Sequence, residues 1–184
     1  MALLRRIETQ PQPEPDRLPD EYVTALEGLR ITETGALLPR RIFRNGEMVF
    51  RQGETGNQLY VVLHGAVEVQ RPLAQDIPLR GRGIFFGEIA SLYAAKRTAS
   101  IRATAYTETL VMSTADVFGL MWLNPPFYGI HNFLLKTAVS RLEGMTDDSL
   151  ARNDLPTRDR WLWSEDMQKY FPPVLSGRYT RFQV

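Results

Sequence analysis

Between Arg40 and Met112 the apolar residues come in short runs separated by glycines. Gly46, Gly53, Gly56, Gly65, Gly81 and Gly83 recur at turn-like intervals, as in a chain that reverses direction often. Leu59-Tyr60-Val61-Val62-Leu63 is rich in aromatic and β-branched residues, which predicts a buried strand. Ala66 to Gln70 alternates instead, with Val67 and Val69 on one face and Glu68 and Gln70 on the other, the period of a half-buried strand. Ser100 to Ala103 and Thr109 to Met112 are further strand candidates. Several short antiparallel strands in series predict a sandwich or jelly roll.

After Ser113 the period lengthens. Thr114 is placed to cap a helix running to Leu123, with Asp116 in its first turn, where a carboxylate suits the helix dipole. Pro125 and Pro126 reset the chain, and proline suits a first helical turn. Phe127, Ile130, Leu134, Ala138 and Leu142 then recur at helical spacing, and Gly144 is a natural stop. A shorter helical lead is expected around Tyr22 to Leu38. The predicted fold is mainly β with flanking helices: an antiparallel β-roll or jelly roll followed by two C-terminal helices. Three parts are expected: a flexible proline-rich lead over 1–20, a globular body over 21–145, and an aromatic tail over 146–184.

Composition narrows the chemistry. The 184 residues contain no cysteine, which excludes disulfides, thiolate metal sites and cysteine nucleophiles. A net charge of +1 is too balanced to argue for a nucleic-acid or membrane-surface partner. No long apolar run follows Arg5 and Arg6, so neither a signal peptide nor a membrane span is expected, and the expected location is cytoplasmic. The two histidines, His64 and His131, fall in separate elements and cannot supply a metal cluster. No GxSxG, Walker loop or HExxH motif occurs. Catalysis is not expected, and no catalytic residue, metal site or resident cofactor is assigned.

The candidate chemistry lies in Phe86-Gly87-Glu88-Ile89-Ala90-Ser91-Leu92, followed by Lys96-Arg97-Thr98-Ala99. One carboxylate and one guanidinium stand nine positions apart with a glycine and small residues nearby. Glu88 can accept from a sugar hydroxyl, and Arg97 can pair with phosphate oxygens. Gly87 permits close backbone approach, and a short turn from Glu88 to Leu92 would offer free amides to an anion.

In this order of parts the chain resembles a cyclic nucleotide-binding domain over roughly Leu37 to Met145. Arg44 to Glu54 is similar to the family's first hairpin, Leu59 to Val69 to the next strand pair, and Phe86 to Leu92 with Arg97-Thr98-Ala99 to its phosphate-binding cassette. The resemblance implies a ligand, cAMP or cGMP, held by Gly87, Glu88, Ile89, Ala90, Arg97 and Thr98. It implies Glu88 and the Gly87 backbone on the ribose 2′-hydroxyl. It implies Arg97, with the amides of Ala90 and Thr98, on the cyclic phosphate. Thr98 bears on the base, since its hydroxyl could reach a syn guanine; threonine alone discriminates weakly, and cAMP is favoured. Lys96 and Asn57 depart from the family's usual proline and aspartate. The link between the fourth and fifth strands, Pro72 to Pro78, is short.

Many relatives read ligand out through the helices after the roll, so the helix from Phe127 to Met145 is a candidate lid or homodimer seam. Its apolar stripe fits packing on the roll better than a dimer interface. After Met145 the chain holds six basic and six acidic residues and no basic reading helix. A stand-alone receptor without a helix-turn-helix, signalling to an unidentified protein rather than to DNA, is the expectation. The alternative is a nucleotide-free interaction scaffold. Trp161, Trp163, Tyr170 and Phe171 fit surface packing or partner docking better than a cap stacked on the base.

Overall fold

The computed structural model describes residues 17–29, 36–71, 75–93, 95–113, 115–116, 125–143 and 145. Its elements run α1 (Asp20–Gly28), β1 (Arg40–Phe43), β2 (Met48–Phe50), β3 (Gln58–His64), β4 (Ala66–Gln70), β5 (Ile77–Arg80), β6 (Phe85–Phe86), α2 (Glu88–Tyr93), β7 (Ser100–Ala103), β8 (Thr107–Ser113) and α3 (Pro125–Glu143). The strands form two four-stranded sheets, ordered β1-β8-β3-β6 and β2-β7-β4-β5. Every strand pairing is antiparallel. The fold is therefore the mainly β roll with flanking helices that the sequence predicts.

The continuous apolar run of β3 has a simple cause: both faces of the strand are buried. Leu59, Val61 and Leu63 join a core with Leu26 of α1 and Ile130, Leu134, Ala138 and Leu142 of α3. Tyr60 and Val62 face the other way, into a roll interior with Phe43, Phe50, Val67, Phe86 and Ile101. β8 divides its side chains similarly, Leu110 and Met112 toward the helices and Val111 toward the interior. The helical spacing of Ile130, Leu134, Ala138 and Leu142 thus places four side chains against one sheet, each fully removed from solvent. Burying a side chain of this kind stabilises by about 1.5–3 kcal/mol, so the contact fixes α3 beside the strand that leads into the cassette.

The structure corrects the sequence reading in three places. The helical lead stops at Gly28, and Leu29 is already extended at φ −69° and ψ 131°. Leu38 is buried but not helical, as the following Pro39 disfavours helical backbone before it. Pro78 belongs to β5, opposite Glu68, rather than to the linking loop. β5 is an edge strand, where a residue without an N–H is tolerated. The cap after β8 is Ser113, one residue before Thr114. Its Oγ accepts from Asp116 N at 3.1 Å while Asp116 Oδ2 accepts from Ser113 N at 2.6 Å, the reciprocal geometry of a capping box. The rest of the helix expected to reach Leu123, the Gly144 stop expected for the second helix, the lead before Arg17 and the aromatic tail lie outside the described residues. Within the stretch assigned to the lead, Arg17 bridges to Ile84 and Leu18 is fully buried.

α1 is tied to the roll by charge. Arg82, in the turn before the cassette, pairs with Glu27 and Asp20, and Arg40 of β1 pairs with Glu27 and Glu108. Arg82 is therefore part of a structural network. A side chain at Gly129 of α3 would collide with the Tyr22 ring of α1, so the two helices cross closely there. Among the described residues no helix is long and apolar enough to cross a membrane.

Candidate functional site

The site begins where β6 ends. Gly87 has φ +83°, a conformation that costs glycine little and other residues much, and it turns the chain directly into α2. Its carbonyl accepts from Ser91 N at 3.2 Å and from Arg97 Nη1 at 3.0 Å. One carbonyl thus opens the short helix and anchors the guanidinium. Ser91 Oγ donates to Asn57 O at 3.0 Å, which fastens α2 to the loop between β2 and β3.

The same loop holds Arg97 from the other side. Arg97 N donates to Glu54 O at 2.8 Å, and Gly53 N donates to Arg97 O at 2.9 Å. With both main-chain groups bonded, the backbone has little freedom to redirect the side chain. The guanidinium lies over the Phe50 ring, Cζ 4.1 Å from its centroid. A Cβ on Gly56 would stand 2.8 Å from Nη2, and one on Gly87 would stand 2.7 Å from Nη1. Both glycines are needed to leave room for the fork.

Arg97 is only 4% exposed, yet no carboxylate lies within ion-pair distance of it among the described residues. Burial pushes its pKa below the ordinary arginine value, while Tyr60, Glu88 and Glu54 act in the opposite sense. A buried cation with no ion pair is costly, and the ring face and the Gly87 carbonyl offset that cost only in part.

Glu88 is 2% exposed and differently placed. Arg141 of α3 donates from Nη1 to Glu88 Oε1 at 2.7 Å, and its two terminal nitrogens reach Phe85 O at 3.3 and 3.4 Å. Arg141 Cζ is also 4.9 Å from the Phe85 ring centroid. A carboxylate has room for several donors, so Glu88 keeps acceptor capacity beyond Arg141. Beside it, Tyr93 has the one buried side-chain oxygen or nitrogen without a hydrogen-bond partner among the described residues. Burial, and then the charge of Glu88, push its pKa up to about 12.

The structure thus gathers the six residues singled out from sequence into one turn-helix-strand unit. Ile89 sends its side chain into the helix-facing core, so only its backbone is available to a ligand. Ala90 is buried and Thr98 half-buried. Two residues were missed. Arg141 had a signal, since it lies seven residues after Leu134 and three after Ala138, on the apolar stripe itself; a charge there needs a buried partner. Phe50 had none, because its ring meets Arg97 only through the fold. His64 is an exposed residue at the end of β3.

Residues 40–122 match the family model for the Cyclic nucleotide-binding domain. The chain is 34% identical over 127 residues to a putative potassium channel protein of Rhodopseudomonas palustris, covering 64% of this chain and 31% of that one. It is 38% identical over 72 residues to the human potassium/sodium hyperpolarization-activated cyclic nucleotide-gated channel 3, covering 39% of this chain and 9% of the channel. It therefore spans less than a third of either relative. Among solved structures, a cyclic nucleotide-binding domain from Methylobacillus flagellatus superposes with a TM-score of 0.52 at 18% identity, over 72% of this chain and 83% of that one. A structure from work on a cyclic-GMP-dependent signalling pathway in bacterial phytopathogenesis gives 0.51 at 22% identity, over 59% and 87%. At these identities the two superpositions show a shared fold.

Proposed function

We propose, from the premise that residues 40–122 belong to the cyclic nucleotide-binding domain family, that this chain is a cyclic nucleotide receptor. It takes cAMP with affinity equal to or greater than cGMP, and it reports occupancy to a protein partner through α3. It is a cytoplasmic regulatory module and not an enzyme. Its output is protein contact, not DNA or membrane binding.

The observation that carries this reading is the state of Arg97. A fixed, buried guanidinium without a carboxylate, with two glycines beside it, is a site for an incoming anion. The 3′,5′-cyclic phosphate is a monoanion and needs one such cation. Amides of Ala90 and Thr98 would complete the phosphate cradle. The free 2′-hydroxyl would donate to Glu88, beside the Gly87 backbone.

Glu88 also supplies the route outward. Its bond to Arg141 makes the sugar-side ligand and the last described helix neighbours in one network. A ligand that shifts Glu88 shifts the partner on α3. By linkage, an α3 position favoured by ligand must favour ligand in return.

Thermal unfolding of the full chain with cAMP, cGMP and cyclic dinucleotides tests the reading. Ligand at one hundred times its dissociation constant stabilises by about 2.7 kcal/mol, so cAMP should raise Tm by several degrees. No shift with any of these nucleotides would remove the receptor reading and leave an interaction scaffold.

A further inference from the structure

We infer that Phe50 is the positioning residue of the phosphate site, holding Arg97 in its binding geometry before any anion arrives. This rests on the reading of Arg97 as the phosphate ligand. The ring is packed from several sides: β2 pairs with β7 at Phe50↔Ile101, and the Tyr60 and Phe86 ring centroids each lie 6.0 Å from its own. The guanidinium lies on its face at 4.1 Å.

The choice of a ring has a chemical consequence. A carboxylate in the same place would hold Arg97 as firmly, but would neutralise it and take up its donors. A ring face attracts a cation through its quadrupole and uses none of the five N–H groups. Apart from Nη1, given to the Gly87 carbonyl, the fork stays free for phosphate oxygens. Phe50 therefore orders the cation without competing with the ligand. Such ordering in advance raises affinity by reducing what binding must immobilise.

The test uses the ligand-free full chain and the side-chain Nε–Hε NMR signal of Arg97, assigned by its loss in Arg97→Lys. Wild type and Phe50→Tyr should show a proton shifted by the ring and slow to exchange with water. Phe50→Leu and Phe50→Met keep an apolar side chain but remove the π face, and either should return the signal to the position and exchange rate of an unstacked arginine. In cAMP titrations the same two variants should bind about threefold to thirtyfold more weakly, while Phe50→Tyr binds as wild type. An Arg97 signal unchanged in Leu and Met variants that melt cooperatively would overturn the inference. So would loss of the signal with no loss of affinity. If wild type binds no cyclic nucleotide, the receptor reading fails, whereas the Arg97 signal still decides whether Phe50 orders the guanidinium.

Discussion

Glu88 and Arg97 are both buried charges in one short segment, and the fold treats them oppositely. Glu88 has a cation brought to it by α3. Arg97 has a ring face and a carbonyl, and no carboxylate at ion-pair distance among the described residues. A protein selected only for stability would pair both, or bury neither. The difference teaches that the two ends of the site have separate duties. The sugar end is tied to the rest of the molecule, and the phosphate end is kept open for a charge from outside.

That contrast breaks most visibly at Arg97. Arg97→Ala should weaken cAMP binding by at least about a hundredfold, the scale of leaving a buried phosphate without its partner. It should move unfolding free energy by less than about 1 kcal/mol, since no native ion pair is lost. Competition with a fluorescent cAMP analogue and chemical denaturation measure the two. A large stability loss would mean that Arg97 is a structural residue.

Arg141 should behave in reverse. Arg141→Gln strips a buried carboxylate of its charged partner and should cost about 1–3 kcal/mol of stability, with less than about tenfold effect on affinity. Hydrogen exchange sharpens the point. Ligand should alter protection of α3 in wild type and alter it much less in the variant. An equal response in both would cut Glu88 out of the signalling route.

A smaller effect is expected at Tyr93. Its hydroxyl is buried without a partner, so Tyr93→Phe should stabilise the ligand-free protein by about 1 kcal/mol. The sign with pH is defined. The folded pKa of about 12 lies above the ordinary 10.0, so the unfolded chain releases the proton first. Stability of wild type is intact below pH 10 and is lost as pH rises toward 12, on the order of 2 kcal/mol. Tyr93→Phe should lack that component, as paired urea titrations at pH 9 and 11.5 would reveal. The smallest effect is at Thr98: Thr98→Ala should leave cAMP affinity within about threefold and lower cGMP affinity no more than about tenfold, by calorimetry.

Much of this was legible in the chain. The strand run Leu59 to Leu63 and the helical spacing of Ile130, Leu134, Ala138 and Leu142 are burial patterns, and burial decides the core. Glu88 and Arg97 stood out because their neighbours are small. What escaped was long-range. Arg141 meets Glu88 across 53 positions, and Phe50 meets Arg97 only because β2 pairs with β7, the strand that follows Arg97. Apolar spacing continues past Gly28 and suggests a longer helical lead, while Pro39 disfavours a helix at Leu38. Ser113 and Thr114 both offer a capping hydroxyl in the sequence, and the reciprocal bonds of Ser113 with Asp116 are what the fold adds.

The measurement closest to the central claim is a calorimetric titration of the full chain with cAMP beside adenosine, which keeps base and ribose but lacks the phosphate. Saturable one-to-one binding of cAMP, with adenosine at least about a hundredfold weaker, is the predicted result. Equal binding of the two, or no binding of cAMP, would contradict the assignment of Arg97 as a site held open for an anion.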